Sequence, residues 1–210
     1  MRETGRSWVE GWAVARRVAA PVEVPWGLRV EVGQPTQVVR HVLLGADDAA
    51  VRGLIGAVAE PTTCVKAFMT SEAMRPWFTS AWEPVEPCFL MAAPLRPARV
   101  RAPEGYAVDV EVAGGVASVR VHSAGGEPAA AGLAGLTGDV CVFDRIVTEP
   151  AHRRLGLGTL VMGALTGAAV ERGAASGLLA ATAPGRALYE TLGWKVLAPL
   201  NGFVYRPQVC

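Results

Sequence analysis

The first half of the chain is organised by period-two alternation. GLRVEV (27–32) and TQVVRHVLL (36–44) set apolar residues at alternate positions, as half-buried strands do, and 62–69 and CFLMA (88–92) add two more strands. DDAAVRGLIGAVA (47–59) repeats its apolar residues at helical spacing, and 71–78 predicts a short helix. Ser7-Trp8-Val9-Glu10 has the spacing of a capping box, so a helix carrying Trp8 and Trp12 is expected to about Ala19, stopped by Pro21 and Pro25. The segment 93–105 holds three prolines and three arginines without a period and reads as a linker or a crossover.

Beyond the linker, 106–112, 116–123, 128–135 and 139–148 read as antiparallel strands divided by Gly-rich turns such as Ala124-Gly125-Gly126. A helix at 156–172, a strand at 177–182, a helix at 184–191 and a strand at 194–198 follow. The expectation is an α+β fold. Residues 101–210 form a mixed, mainly antiparallel sheet flanked by helices, and residues 1–100 form a smaller α/β region packed against it. A faint repeat links the regions: Val30-Glu31-Val32 with Val39-Arg40 recurs 80 residues later as Val110-Glu111-Val112 with Val119-Arg120, and 65–82 parallels 178–194 as strand, helix and closing tryptophan. The two arms could pair within one subunit or between copies in a homodimer.

Composition narrows the function classes. The chain has 210 residues, 51% of them hydrophobic, enough to bury a sizeable core. Lys+Arg of 20 against Asp+Glu of 19 leaves a net charge of +1, which gives no long-range field toward nucleic acid or an anionic membrane. The uncharged run Leu155–Val170 is shorter than the roughly 20 residues that span a bilayer, so it reads as a buried helix, with Gly163 and Gly167 allowing close packing against a sheet. Glu3 and Glu10 interrupt the N-terminal arginines and no apolar run follows, so no secretory leader is expected and the protein reads as cytoplasmic. Cys64, Cys88, Cys141 and Cys210 have neither metal-ligand nor disulfide-framework spacing, and the first three read as small buried hydrophobes.

The chemistry concentrates in EPAHRRLGLGTL (149–160). A strand running through glycine-rich backbone into a helix exposes free N–H groups at the positive end of the helix dipole, a cradle for phosphate, and Arg153 and Arg154 add charge at its rim. A Cβ at position 156 or 158 is expected to intrude where phosphate oxygens approach the backbone. GxxxxGK[ST] is absent, and Val161 takes the third glycine position of GxGxxG. The corresponding turn of the first half, Gly45-Ala46-Asp47-Asp48, carries carboxylates that would repel phosphate.

Arg153-x-x-Gly156-x-Gly158 resembles the acyl-CoA signature of the GNAT (GCN5-related) N-acetyltransferases, and RALYETLGW (186–194) resembles that family's second characteristic segment, in the same order and at the family's separation. The resemblance covers about residues 106–200 and implies a GNAT-like sheet, acetyl-CoA as co-substrate and no metal. It implies that the amides of Arg154, Leu155, Gly156, Leu157, Gly158 and Thr159, with Arg153 beside them, grip the pyrophosphate. The strand 142–148 would line the pantetheine arm through Phe143, Ile146 and Val147, and Thr182 stands where members often carry an asparagine. Tyr189 would be the general acid for the departing thiolate, which suits a phenol of pKa about 10.

Asp144 interrupts an apolar strand where many members carry a glutamate. It is the candidate base for the acceptor amine, with pairing to a neighbouring arginine as the alternative. His41 and His122 read as structural, and Cys141 has no histidine beside it to support an acyl-enzyme. The family's two helices between its first strands are missing, because Ala113-Gly114-Gly115 alone joins 106–112 to 116–123. Either the first half supplies that wall, or the acceptor site is unusual. The acceptor class is a small-molecule or peptide amine, and the competing reading is a non-catalytic acyl-CoA-binding or sensory module.

Overall fold

The structure, a computed structural model, describes residues 1–45, 47–97 and 100–207. The first half runs α1 (Arg2–Arg16), β1 (Val22–Val24), β2 (Gly27–Gln34), β3 (Gln37–Leu43), α2 (Asp48–Ala57), β4 (Cys64–Ala67), α3 (Ser71–Met74), β5 (Trp82–Pro84) and β6 (Cys88–Pro94). The second runs β7 (Tyr106–Ala113), β8 (Val116–Ser123), β9 (Pro128–Thr137), β10 (Val140–Thr148), α4 (Leu157–Val170), β11 (Ser176–Thr182), α5 (Ala183–Thr191) and β12 (Lys195–Tyr205). The expected α+β architecture is present, as a mixed and mostly antiparallel sheet of 12 strands.

All strands but β5 follow one order, β1-β2-β3-β4-β12-β6-β11-β10-β9-β8-β7. That order reads alike from both ends of its centre. In the first half β3 pairs antiparallel with β2 and parallel with β4, and in the second β10 pairs antiparallel with β9 and parallel with β11. The halves then exchange strands within one chain, β12 lying against β4 and β6 against β11, while β6 and β12 pair with each other. Strand order therefore sets β2–β3 opposite β9–β10, so the 80-residue offset, which matches β2–β3 to β7–β8, is one hairpin out of place. The 65–82 and 178–194 segments occupy equivalent positions.

α1 holds the sheet in shape. Its Trp8, Val9, Trp12 and Ala13 share one apolar cluster with Leu28, Val30 and Val42 on one side and Val142, Leu178 and Leu200 on the other. β2 and β10 are six steps apart in the strand order, which is roughly 29 Å on a flat sheet against a helix diameter of about 10–12 Å. The sheet must therefore curve around α1. Close approach depends on two glycines: a Cβ on Gly135 of β9 would lie 2.1 Å from the Gly11 carbonyl oxygen, and one on Gly11 would lie 2.3 Å from Val142 Cγ2. α4 covers the opposite face through Leu160, Val161 and Leu165, in a cluster with Val119, Val121 and Phe143.

Several local expectations are corrected. α1 begins at Arg2 rather than Ser7, because Ser7 lies mid-helix with its hydroxyl on the Glu3 carbonyl (3.2 Å), so there is no capping box. β12 extends past 198 to Tyr205 because it changes partner, pairing with β6 through Leu200 and with β4 from Asn201. Gly163 makes room for Val100 of the connecting segment, 2.2 Å from its would-be Cβ, and not for a sheet. Cys64 and Cys141 are buried, Cys88 is only half-buried, and Cys210 lies outside the described residues. His41 is buried and its Nδ1 accepts from Trp26 Nε1 at 3.2 Å, a structural role. Among the described residues, no helix is long and apolar enough to cross a membrane.

Because the α1 contact is backbone against backbone, Gly135→Val should lower unfolding free energy by about 1–3 kcal/mol through overpacking. Gly125→Ala, in an exposed turn with only Ser123 Oγ near (3.7 Å), should stay near neutral. Urea denaturation of the two variants checks the contrast.

Candidate active site

β10 and β11 pair in parallel over only four rungs, from Val140 opposite Ser176 to Phe143 opposite Leu179. Beyond them β10 remains on β9, with a register shift between Asp144 and Val147 and Arg145 at φ 52, while β11 stays on β6 as far as Thr182. The strands part. The backbone groups that face the gap have lost their ladder partners, and such groups demand hydrogen bonds.

β10 leads from this gap through a 3-10 turn, Pro150–His152, into α4. The turn is anchored from outside, since Tyr106 Oη lies 2.9 Å from His152 Nδ1 and the Arg153 guanidinium donates to the Thr148 carbonyl at 3.2 Å. Arg154 (φ 64) and Gly156 (φ 77) are both left-handed, a conformation that favours glycine. The first helical bond outside α4 proper runs from the Leu160 amide to the Gly156 carbonyl, and the amides of Arg154 through Thr159 have no backbone partner among the described residues. No acidic residue occupies the first turn of α4 and no side chain caps it. An anion fits here: the donors converge on one helix start, and a Cβ at Gly156 would meet nothing within 4 Å.

Gly158 has a different reason to be glycine. Its would-be Cβ lies 3.0 Å from Leu188 Cδ2, so it sets the distance from α4 to α5. Of the other expected cofactor contacts, Leu157 is buried, Leu155 and Val147 are about half exposed (48% and 50%), Ile146 packs on the core and Thr159 is exposed. Phe143 is fully buried, edge-on to Trp194 at 5.2 Å, and sits on the last rung before the strands part. Thr182 ends β11 and caps α5, accepting from the Gly185 amide at 3.4 Å.

α5 carries Tyr189, which is buried and packs beside Trp194. Burial, and then the Asp144 carboxylate, push its phenol up to about 12. Asp144 is held by Arg16 at the end of α1, whose Nε and Nη2 lie 2.6 and 3.3 Å from the two carboxylate oxygens, with both side chains about four-fifths buried. Thus the first half of the chain does reach the site, through a residue whose position on α1 gave no sign of a partner 128 positions away. Burial also drives the Cys141 thiol up to about 12, leaving it an inert core residue.

A split parallel pair, an open helix start after it and a buried tyrosine on the next helix lie together in the second half of the chain. The chain belongs to the acetyltransferase (GNAT) family, whose model matches residues 71–194, and it is a GNAT-type acetyltransferase. Over 99% of this chain and 96% of the other, it resembles a GCN5-related N-acetyltransferase from Kribbella flavida (TM-score 0.72, 15% identity). It also resembles a GNAT-family protein from Novosphingobium aromaticivorans DSM 12444 (TM-score 0.63, 13% identity, 98% and 99% covered). A tandem GNAT protein from the clavulanic acid biosynthesis pathway aligns over 70% of this chain and 65% of its own (TM-score 0.51, 12% identity). No curated protein matches the sequence significantly.

The Arg16–Asp144 pair makes an energetic prediction. A double-mutant cycle of Arg16→Met and Asp144→Asn, followed by chemical denaturation, should give a coupling of about 1–2 kcal/mol, above exposed pairs and below fully buried ones.

Proposed function

We propose that this protein transfers an acetyl group from acetyl-CoA directly to an amine. The observation that carries the reading is the run of unpartnered amides from Arg154 to Thr159 at a helix start free of acidic residues. Those amides, with the Arg154 side chain and the exposed Leu155 beside them, suit the pyrophosphate. The unpaired edges of β10 and β11 suit the amide groups of the pantetheine arm. Bound there, acetyl-CoA supplies an acyl group activated as a thioester.

The chain's own groups then handle protons. Tyr189 stays protonated at neutral pH and can donate to the departing sulfur. Asp144, fixed by Arg16, retains lone pairs for the proton that an ammonium must lose before it attacks. In this reading the first half is a degenerate counterpart of the second and has lost its cradle. At its equivalent junction Asp47 already accepts the Ala50 amide at 2.8 Å, and Asp48 is taken by Arg52 and Trp77. The strand exchange and the likeness to a tandem GNAT fold support that origin.

Leu155→Glu places a carboxylate at the cradle without touching the core, so it should weaken coenzyme A binding at least roughly tenfold in calorimetry while leaving Tm unchanged without ligand. Unchanged affinity would remove the site. Tyr189→Phe should lower kcat by roughly 10- to 100-fold with coenzyme A affinity preserved. Because the phenol titrates near 12, the wild-type rate should show no fall assignable to Tyr189 up to about pH 10.

A further inference from the structure

At the end of the sheet where β10 and β11 part, on the face covered by α1, an open cavity of about 320 Å³ is lined by Arg40, Cys64, Lys66, Glu86, Cys88 and Arg206, among others. Arg40 on β3 is 8% exposed and Lys66 on β4 is 9% exposed. Arg206 is paired with Glu83 at 3.2 Å, and Glu86 is exposed at the rim. Arg40 and Lys66 are different. Among the described residues no carboxylate lies within 4.0 Å of the charged nitrogens of either. The Arg40 Nη2 donates only to Gln37 Oε1 (2.6 Å), and its buried Nε has no partner.

Two buried cations with no carboxylate in contact are costly, and burial shows it: the Arg40 guanidinium is driven down to about 10, and the Lys66 ammonium is lowered as well, although the Asp144 charge partly offsets the effect at Arg40. Each also feels the charge of a neighbouring cation, Arg16 for both. A fold built only for stability would put apolar residues here.

The cavity neighbours the proposed reaction centre. Cys88, on its wall, stands opposite Thr182 of β11 on one side and Leu200 of β12 on the other. Arg40 and Arg16 both lie against the ring of Trp12, at 3.8 and 4.9 Å from its centroid, and Arg16 holds Asp144. One indole ring therefore lies between Arg40 and the Arg16 that holds the carboxylate proposed to receive the amine's proton.

We propose that Arg40 and Lys66 bind an anionic group, carboxylate or phosphate, on the acceptor, so that the substrate is an amine that also carries an acid. This rests on the acetyltransferase reading for the amine end alone; the anion site stands on its own geometry. The acid would supply the contacting negative charge that Arg40 and Lys66 lack.

The test has two arms. In the first, acetyl transfer from acetyl-CoA is followed with amino acids, their neutral amides and phosphorylated amines of matched length. The acids or the phosphorylated amines should exceed the amides in kcat/KM by roughly 10- to 100-fold, the worth of a charge-assisted contact, and that preference should collapse in Lys66→Met and Arg40→Met. Equal use of amides overturns the proposal. In the second arm, which needs no turnover, glutarate and inorganic phosphate are titrated in thermal unfolding. One of them should stabilise the wild type and not Lys66→Met, with the coenzyme A shift retained in both. Lys66→Met should itself unfold no lower than wild type, because it removes an uncompensated charge, and Lys66→Arg should keep part of the anion response. An anion shift that survives in both methionine variants overturns the site. Absence of turnover with every amine, beside an anion shift lost in Lys66→Met, supports the site and overturns the transferase reading instead.

Discussion

The parallel pairing of β10 with β11 ends after four rungs, and the proposed activity depends on that ending. Each strand is held on its outer edge by an antiparallel neighbour, β9 for β10 and β6 for β11, and the neighbours diverge. The inner edges are then left with donors and acceptors that the fold does not satisfy. Such a gap would be a defect in a sheet with no ligand. Here it lies beside the open start of α4 and the Arg16–Asp144 pair, and in the proposed reading a thioester carrier and an amine meet across it.

Holding that gap open falls to α1 and to the exchanged strands. The Gly11–Gly135 approach seats α1 against β9, and its length carries Arg16 to Asp144. The exchange of β6 and β12 ties the halves into one sheet, which sets the first half beside the gap. The retained charges at Arg40 and Lys66 fit the same logic, since proteins accept local instability where a ligand relieves it.

Much of this was legible in the sequence. The strands β7 to β10 and the helices α4 and α5 follow from clean alternation, glycine turns and helical spacing. The unpartnered amides of Arg154 to Thr159 were legible because glycine at a strand-to-helix junction leaves the first turn's N–H groups free. What the sequence hid is long-range. Ser7 and Glu10 mimic a cap because spacing alone cannot tell a helix start from its middle. β12 reads as ending near Ala198 because its change of partner leaves no mark in a uniformly apolar strand. Gly158 looks like part of the cradle, yet it answers to Leu188 on another helix. Arg40 and Lys66 did carry a signal, a lone cation in each of two apolar strands, whose meaning emerges only when β3 and β4 lie side by side.

The central claim is that the amides of Arg154 to Thr159 and the gap between β10 and β11 form one binding site. A crystal structure with coenzyme A tests it most directly. The account predicts pyrophosphate oxygens about 3 Å from those amides, with the thiol end lying between the two strands beside Tyr189. Coenzyme A seated instead at the β3–α2 junction, or held by side chains away from residues 154–159, would contradict it.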